Sequence, residues 1–483
     1  MKNVFMVLLL LFATISHKSY SQCSGWNNIQ AQDSIFTNPF FGIALSPEAD
    51  RLHRPYVYLA TNVGGVKVYE KNTSGNQVLV ATVPTTALGN LNASNLFQDS
   101  IWLYVCLGDI WDTTQASGLA IIDVSDPLIP VVLDYYMLAG SVGGAGAVSV
   151  RGNYAFLAAN ENGLIILDIS NKNNIQYVSN VLFSINFPHT TPGAASMYNA
   201  RGIDLNGNYA YICYDRGGLR VVDISNVNAP YQYSQYCFSN LIDKATAYNN
   251  VVIHNNIAYV AIDYYGMEIL DISNPANIIQ LGWWHPSTWA DTTNNYTVWA
   301  NSLGHCNELA YDSVCQMVYV ASGKSDAVAI DVSNSSNPTT CQTFGSTSDD
   351  YGTWGIDLFD DTINLAYIWS PAFPPFSNYT GFKTLPVTCS PNILNDIAKP
   401  DEIFVTPNPA SDYFNINYNS PQNRNLFFVL YDCFGKEVLR EKKNSTSDYL
   451  KISTDKLCDG VYFLRAIFGE TQMPFNEKIV VTH

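Results

Sequence analysis

Four tryptophans and two histidines fall within residues 283–305, a dense run of side chains able to engage a ligand. Trp284, His285, Trp289, Trp299 and His305 belong to this run, and His189 and Trp354 join them from other loop segments as candidate ligand-binding residues. Exposed indoles beside Asn and Asp suit a sugar ring, whose apolar face stacks while its hydroxyls are hydrogen-bonded. They suit a peptide partner equally well, and they also serve long loops as miniature cores. A second set, Arg201, Asp204, Asn249, Glu308 and Asp357, stands where strands open. Its carboxylates offer the hard oxygen ligands that calcium takes, so calcium is the candidate ion; a solvated polar wall is the plainer reading. HxH, HExxH and Cys/His metal spacings are absent, so no transition metal or other cofactor is indicated. No catalytic residue is assigned. Asp204 with Asp357 would be the paired carboxylates of a hydrolase if they met in space, and a Gly-x-Ser-x-Gly elbow is missing.

The elements that must position these residues are repeats. Gly118-Leu-Ala-Ile-Ile-Asp-Val-Ser125 recurs as Gly163–Ser170, Gly218–Ser225 and Gly266–Ser273, and in a shortened copy as Ala327–Ser333. Each is preceded by a second apolar strand such as Tyr154-Ala-Phe-Leu-Ala158 or Tyr209-Ala-Tyr-Ile-Cys213. The aspartates Asp123, Asp168, Asp223, Asp271 and Asp331 are spaced by 45, 55, 48 and 60 residues, which is room for four short strands and their turns. Weaker copies at Tyr56–Glu70 and Leu365–Thr384 flank the five. The pattern predicts an all-β chain, a β-propeller of about seven four-stranded blades followed by a small Ig-like β-sandwich. An Asp closing a strand before Ser can accept backbone N–H bonds and hold the next turn, which is the expected role of the repeated aspartate.

Connections in such blades alternate between two faces. The turns 151–153, 206–208 and 255–256 are short, whereas the long inserts 107–117, 184–197, 239–249, 284–305 and 370–380 all belong to the opposite set. One face is therefore plain and the other elaborated, and loops on a rigid scaffold are where binding concentrates.

The Leu/Val/Ile-Asp-Ile/Val-Ser-Asn strings resemble the LVIVD-repeat β-propellers of secreted and surface-anchored bacterial proteins, including those of the choice-of-anchor type. That resemblance covers roughly residues 40–390 and implies a fold more than an activity. The C-terminal segment resembles the type A C-terminal sorting domain of the type IX secretion system of Bacteroidota. The matching residues are Pro407-Asn408-Pro409 with Asp412, the Tyr431–Gly435 string ending in Gly435, Gly460 and Tyr462 of Asp459–Phe463, and the closing Lys478–Val481. This resemblance implies the type IX secretion machinery as a partner, passage through the outer membrane, then release or attachment to surface lipopolysaccharide. The expected division is a signal peptide at 1–21, the propeller at 22–390, a linker at 391–402 and the sorting domain at 403–483.

Composition agrees with an exported life. Charged residues are 13% of the chain and the net charge is −17, with no basic stripe for a nucleic acid. No segment after the leader has transmembrane character. Ten cysteines fit an oxidising compartment; Cys433 with Cys458, and Cys23 with Cys389, are candidate pairs. Six Asp-Ser/Thr strings, among them Asp99-Ser100 and Asp312-Ser313, resemble the O-glycosylation acceptor of Bacteroidota and also read as turns. The expectation is a secreted or outer-membrane-surface binding or adhesion propeller that recognises glycan or protein through its long-loop face. The alternative is a secreted polysaccharide hydrolase or lyase with its site over the central channel.

Overall fold

The computed structural model describes residues 33–36, 45–71, 77–109, 114–285 except 245, 305–368 except 324, 347 and 350, and 379–387. In the C-terminal unit it describes 404–483 except 407, 418–423, 433–435, 446–448 and 469–474. The chain divides into two compact units, 1–392 and 393–483, each described by itself.

The first unit holds seven four-stranded antiparallel sheets, the blades. Their inner strands are Ser46–Ala49, Ala93–Asp99, Ala147–Arg151, Ala200–Asn206, Ala247–His254, Cys306–Asp312 and Gly352–Phe359, numbered here as blades 1 to 7. Six blades are contiguous in sequence. Blade 7 takes its fourth strand from the other end of the chain, where Asp33–Phe36 pairs antiparallel with Gly381–Thr384. The ring is thus closed by backbone hydrogen bonds between its two ends, a closure that the repeats did not reveal.

The repeat owes its sequence to local geometry. Asp123, Asp168, Asp223, Asp271 and Asp331 each accept, through Oδ1, the N–H of the serine two residues on, at 2.8 to 2.9 Å. A second such turn follows at once in Asp126, Asn171, Asn226, Asn274 and Asn334. Two consecutive side-chain turns therefore carry each of blades 2 to 6 from third to fourth strand. The glycine that opens the third strand is also dictated. Gly218 has φ +75°, and a Cβ there would lie 2.3 Å from the carbonyl oxygen of Tyr236 on the fourth strand. In blade 6, Asp326 takes that place and its N–H bonds the Phe344 carbonyl at 3.1 Å.

Between these turns the second and third strands are largely apolar and buried, Tyr209–Tyr214 and Leu219–Asp223 in blade 4 being one example, with Arg220 as a buried charged exception. Faces of adjacent blades share one core: Phe156, Leu164 and Ile166 of blade 3 pack in a single cluster with Ile203, Ile212 and Val222 of blade 4. No blade could bury its faces alone, which is why the array must close.

The second unit has a three-stranded and a four-stranded sheet around Phe414, Ile416, Phe428, Leu430, Tyr462 and Ile479. Several motif residues hold this unit together. Asn408 Nδ2 donates to the Lys478 carbonyl at 2.6 Å, and its Oδ1 accepts the Val480 N–H at 2.9 Å. Tyr462 Oη bridges the Cys458 backbone at 3.0 and 2.9 Å, and the Asp412 carbonyl accepts the Thr454 N–H at 3.0 Å. Gly460 opens the strand Gly460–Phe468. Pro409 follows a cis bond from Asn408. Pro407 and Gly435 lie outside the described residues. Cys458 is a free, exposed thiol in the turn that Tyr462 braces, so the expected pairing with Cys433 is not made. Cys433, Cys23 and Cys389 lie outside the described residues, as does the leader 1–21.

Replacing Gly218 by Ala forces a Cβ into a carbonyl, whereas Gly207 has φ +55° with open space around its Cβ position. Gly218→Ala is therefore expected to cost more, about 3 kcal/mol against about 1 kcal/mol for Gly207→Ala. Urea unfolding of the two variants checks the order.

Candidate functional site: the channel and its mouth on the long-loop face

Seven inner strands surround an axial channel, and each presents one unpaired edge to its neighbour. Side chains satisfy that edge. Glu48 of blade 1 accepts the Gln98 N–H of blade 2 at 2.9 Å, Asp204 of blade 4 accepts Ile253 N–H of blade 5 at 2.7 Å, and Asp357 of blade 7 accepts Ala49 N–H of blade 1 at 2.8 Å. One turn higher, Asn250 accepts Leu309 N–H and Glu308 accepts Ile356 N–H, both at 3.2 Å. Five of the seven junctions are stapled in this way. Glycines allow the close approach: a Cβ on Gly355 would meet the Leu45 carbonyl at 2.1 Å, and one on Gly202 would meet the Asn250 backbone at 2.6 Å.

These bonds engage the carboxylates named as candidates for calcium. Asp204, Glu308 and Asp357 sit on different blades and are engaged with neighbouring backbone, and Asp357 also holds Arg51 at 2.5 Å. Among the described residues, no three His, Cys, Asp or Glu side chains come together to hold a metal ion. Burial, partly offset by those N–H bonds, raises the Glu308 carboxyl to about 8 and the Asp204 carboxyl to about 6. Glu48 is likewise raised to about 8, because desolvation outweighs the attraction of Arg51 at 3.0 Å.

At the long-loop end the channel opens into a small cavity of about 50 Å3. Its lining includes Ser94, Asp109, Arg201, Asn249, Asn307, Glu308 and Trp354. Arg201 is oriented by Asp215 at 2.8 Å, and Asp109 by the amides of Asn62 and Asn92 at 2.9 and 3.1 Å. Asn249 and Asn307 reach backbone carbonyls of the next blade, Cys306 at 3.2 Å and Thr353 at 2.8 Å. Trp354 is half-buried and packs near Leu45 and Ile368, with part of the indole on the cavity. Farther along, the channel widens to about 360 Å3, where Glu48, Arg51, Phe97, Asp204 and Asp357 line it.

The structure therefore brings together Arg201, Asn249, Glu308 and Trp354 of the sequence-derived candidates, and leaves Asp204 and Asp357 deeper in the channel. Two aromatic candidates are corrected. Trp284 is only 3% exposed, packs with Met267, Val320 and Val328 between blades 5 and 6, and donates its indole N–H to Thr340 Oγ1 at 2.9 Å. As the last residue of a fourth strand, its inward pleat position decides its fate. His305 is 2% exposed, paired with Asp263 at 2.7 Å and set against the Tyr264 ring. His285 is half-buried on Trp283, ring centroids 4.3 Å apart, and His189 is half-buried in the blade 3 to 4 connection. Trp289 and Trp299 lie outside the described residues. Asp109 and Ser94 of the mouth, with Glu48 and Arg51 of the channel, were missed, since they lie outside the repeated second- and third-strand strings from which the blades were read.

Fold and channel define a repeat-built propeller with a polar mouth, joined to a separate β domain. Residues 104–137, 142–182, 199–237, 247–283 and 316–344 match the LVIVD repeat, and residues 404–482 match the secretion system C-terminal sorting domain. The chain is thus an LVIVD-repeat propeller with a type IX sorting domain, a secreted or cell-surface protein. No curated protein matches it. Among solved structures, a chain of the mitotic checkpoint complex is similar over 80% of this chain and 99% of its own, at 12% identity and a TM-score of 0.50. The Cps50 (Swd1) β-propeller domain of Myceliophteria thermophila matches over 72% and 98%, at 10% identity and a TM-score of 0.49. PorZ, a surface component of the type IX secretion system of Porphyromonas gingivalis, matches over 89% and 64%, at 13% identity and a TM-score of 0.40. At such identities the likeness shows the fold alone. Among the described residues, no helix is long and apolar enough to cross a membrane.

The raised carboxyls give stability a definite pH slope. Glu308 titrates at about 8 in the folded chain and near its ordinary 4.5 when unfolded, so between those values the folded state binds more protons. Its contribution is full below pH 4.5 and is lost as pH rises through 8. Thermal unfolding is expected to show Tm falling from pH 5 to 9, with a shallower fall in Glu308→Gln.

Proposed function

We propose that this protein is a non-catalytic binding or adhesion propeller displayed outside the cell, which captures a glycan at the channel mouth on its long-loop face. The observation that carries this reading is the cavity that Trp354 lines together with Asp109, Arg201, Asn249 and Asn307. An aromatic wall beside fixed amide and charged groups matches the two faces of a sugar, one apolar and one hydroxyl-bearing. The polar groups at the mouth are already oriented by neighbouring blades, so little ordering cost attends binding. The sorting domain supplies the route outward through the type IX machinery, with surface lipopolysaccharide as the anchoring partner in the attached form.

One observation favours a second reading. Glu308, held protonated at neutral pH by its raised pKa, and Asp109 border the same cavity, as the acid and base of a polysaccharide hydrolase or lyase would. Glu308 is nonetheless held by Asn95 at 3.1 Å and by Ile356 N–H, which suits a staple better than a proton donor.

Glycan-array binding of the full chain is expected to give a selective hit that Trp354→Ala weakens about tenfold, the scale of one lost aromatic contact. Trp289→Ala and Trp299→Ala test the loop in the same assay. A hit unchanged in all three variants overturns the glycan reading and directs attention to protein partners. Product release from the bound glycan, lost in Glu308→Gln, would establish the hydrolytic reading instead. Deleting residues 404–482 is expected to leave the chain in the periplasm of its host, as read by cell fractionation.

A further inference from the structure

Arg220, on the third strand of blade 4, is fully buried at 0% exposure. Its guanidinium donates to Gln235 Oε1 and to the carbonyls of Ser184 at 2.9 Å and Phe187 at 3.3 Å. The rings of Phe187 and Tyr214 lie 5.0 and 5.2 Å away. Every one of these partners is neutral. Burial lowers its pKa to about 10, which still leaves it cationic at neutral pH. Arg216, in the turn before the same strand, is half-buried, and its Nη1 contacts the Met197 sulfur at 3.6 Å, a weak acceptor. Among the described residues, neither arginine has a carboxylate within ion-pair distance. The adjacent Asp215 is committed to Arg201 and to Asn199, at 2.8 and 2.7 Å.

The surroundings repeat the imbalance. Arg216 Nε, Arg220 Nε, Tyr198 Oη and His189 Nε2 are all buried without a hydrogen-bond partner. They come from the blade 3 to 4 connection, the 214–218 turn and the start of the strand Leu219–Asp223 that follows it; the connection and the turn pack on each other. Arg216 N–H donates to the Met197 carbonyl at 3.3 Å, and the Tyr198 and Tyr214 rings are 6.0 Å apart. A Cβ on Gly193 would stand 3.1 Å from the Met197 sulfur and 3.4 Å from Arg216 Nη1, so glycine leaves space beside that guanidinium. Met197 is 48% exposed, which puts this edge of the turn at the surface. In a chain of net charge −17, two neighbouring cations without a counter-charge are an anomaly that an external anion would resolve.

We propose that this turn, on the same long-loop face, is a binding site for an oxyanion, the carboxylate or sulfate group of an acidic glycan. The planar Arg216 fork makes the direct contact, as guanidinium geometry favours, and the buried Arg220 supplies positive potential behind it. The site is separate from the channel mouth, so its failure leaves the Trp354 result standing, and the reverse holds too.

The test is thermal unfolding of the full chain in sodium sulfate or sodium glucuronate against sodium chloride at matched ionic strength. Sulfate stabilises proteins generally by exclusion from their surface, so the comparison is between wild type and Arg216→Ala. At millimolar anion the wild-type Tm is expected to rise by about 2–4 °C more than that of Arg216→Ala, for an anion at about ten times its Kd. A larger rise with glucuronate assigns the site to uronic acids, and a larger rise with sulfate assigns it to sulfated sugars. No rise with either anion, or an equal rise in Arg216→Ala, overturns the proposal. Arg216 lies in a partly exposed turn outside the blade core, so the variant is expected to fold.

Discussion

Everything in the propeller depends on satisfying the free edge of its inner strands. A strand next to the axis pairs on one side with its own blade, and its other edge faces a neighbouring blade with which it forms no continuous ladder. Buried N–H groups left there would be costly. Side chains of the preceding blade provide the acceptors: Glu48, Asp204, Asn250, Glu308 and Asp357 each receive one backbone N–H across a junction. The Asp357 bond to Ala49 joins the last blade to the first and works with the Asp33–Phe36 strand to close the ring.

That constraint decides what the channel can do chemically. The carboxylates of Glu48, Asp204, Glu308 and Asp357 are tied to backbone on the neighbouring blade, and burial holds Glu48, Asp204 and Glu308 toward the protonated form. The reactive capacity of the axis is therefore concentrated at the mouth, where the inner strands begin and no further blade-to-blade bonds are required. There, Asp109, Arg201, Asn249 and Asn307 keep part of their polar surface on a cavity with Trp354. Arg216 in the turn, and Arg220 on the strand that follows it, lie at the same end of blade 4. Export by the type IX route gives such a face access to extracellular polymers.

The fold was legible because its signals are local. Gly218, Asp223 and Ser225 stand where a left-handed residue and a side-chain turn are needed within eight residues, and the side-chain turn recurs in blades 2 to 6. Trp284 shows where local reading stops. In sequence it belongs with Trp289 and Trp299, but a strand pleat sends it between blades 5 and 6, and only the position of its neighbour could reveal that. His305 is similar: its partner Asp263 is 42 residues away in the chain and meets it only because blades 5 and 6 are adjacent.

By itself the sequence determined the repeat, the four-strand blade, the plain and elaborated faces and the export domain, since each rests on turn chemistry or alternation within a few residues. Only the tertiary structure decided the ring's closure by the N-terminal strand, the stapling role of Glu308 and Asp357, and the company that Trp354 and Arg201 keep. Those depend on contacts between residues tens to hundreds of positions apart, such as Ala49 with Asp357, whose pairing is set by the geometry of seven blades meeting around one axis.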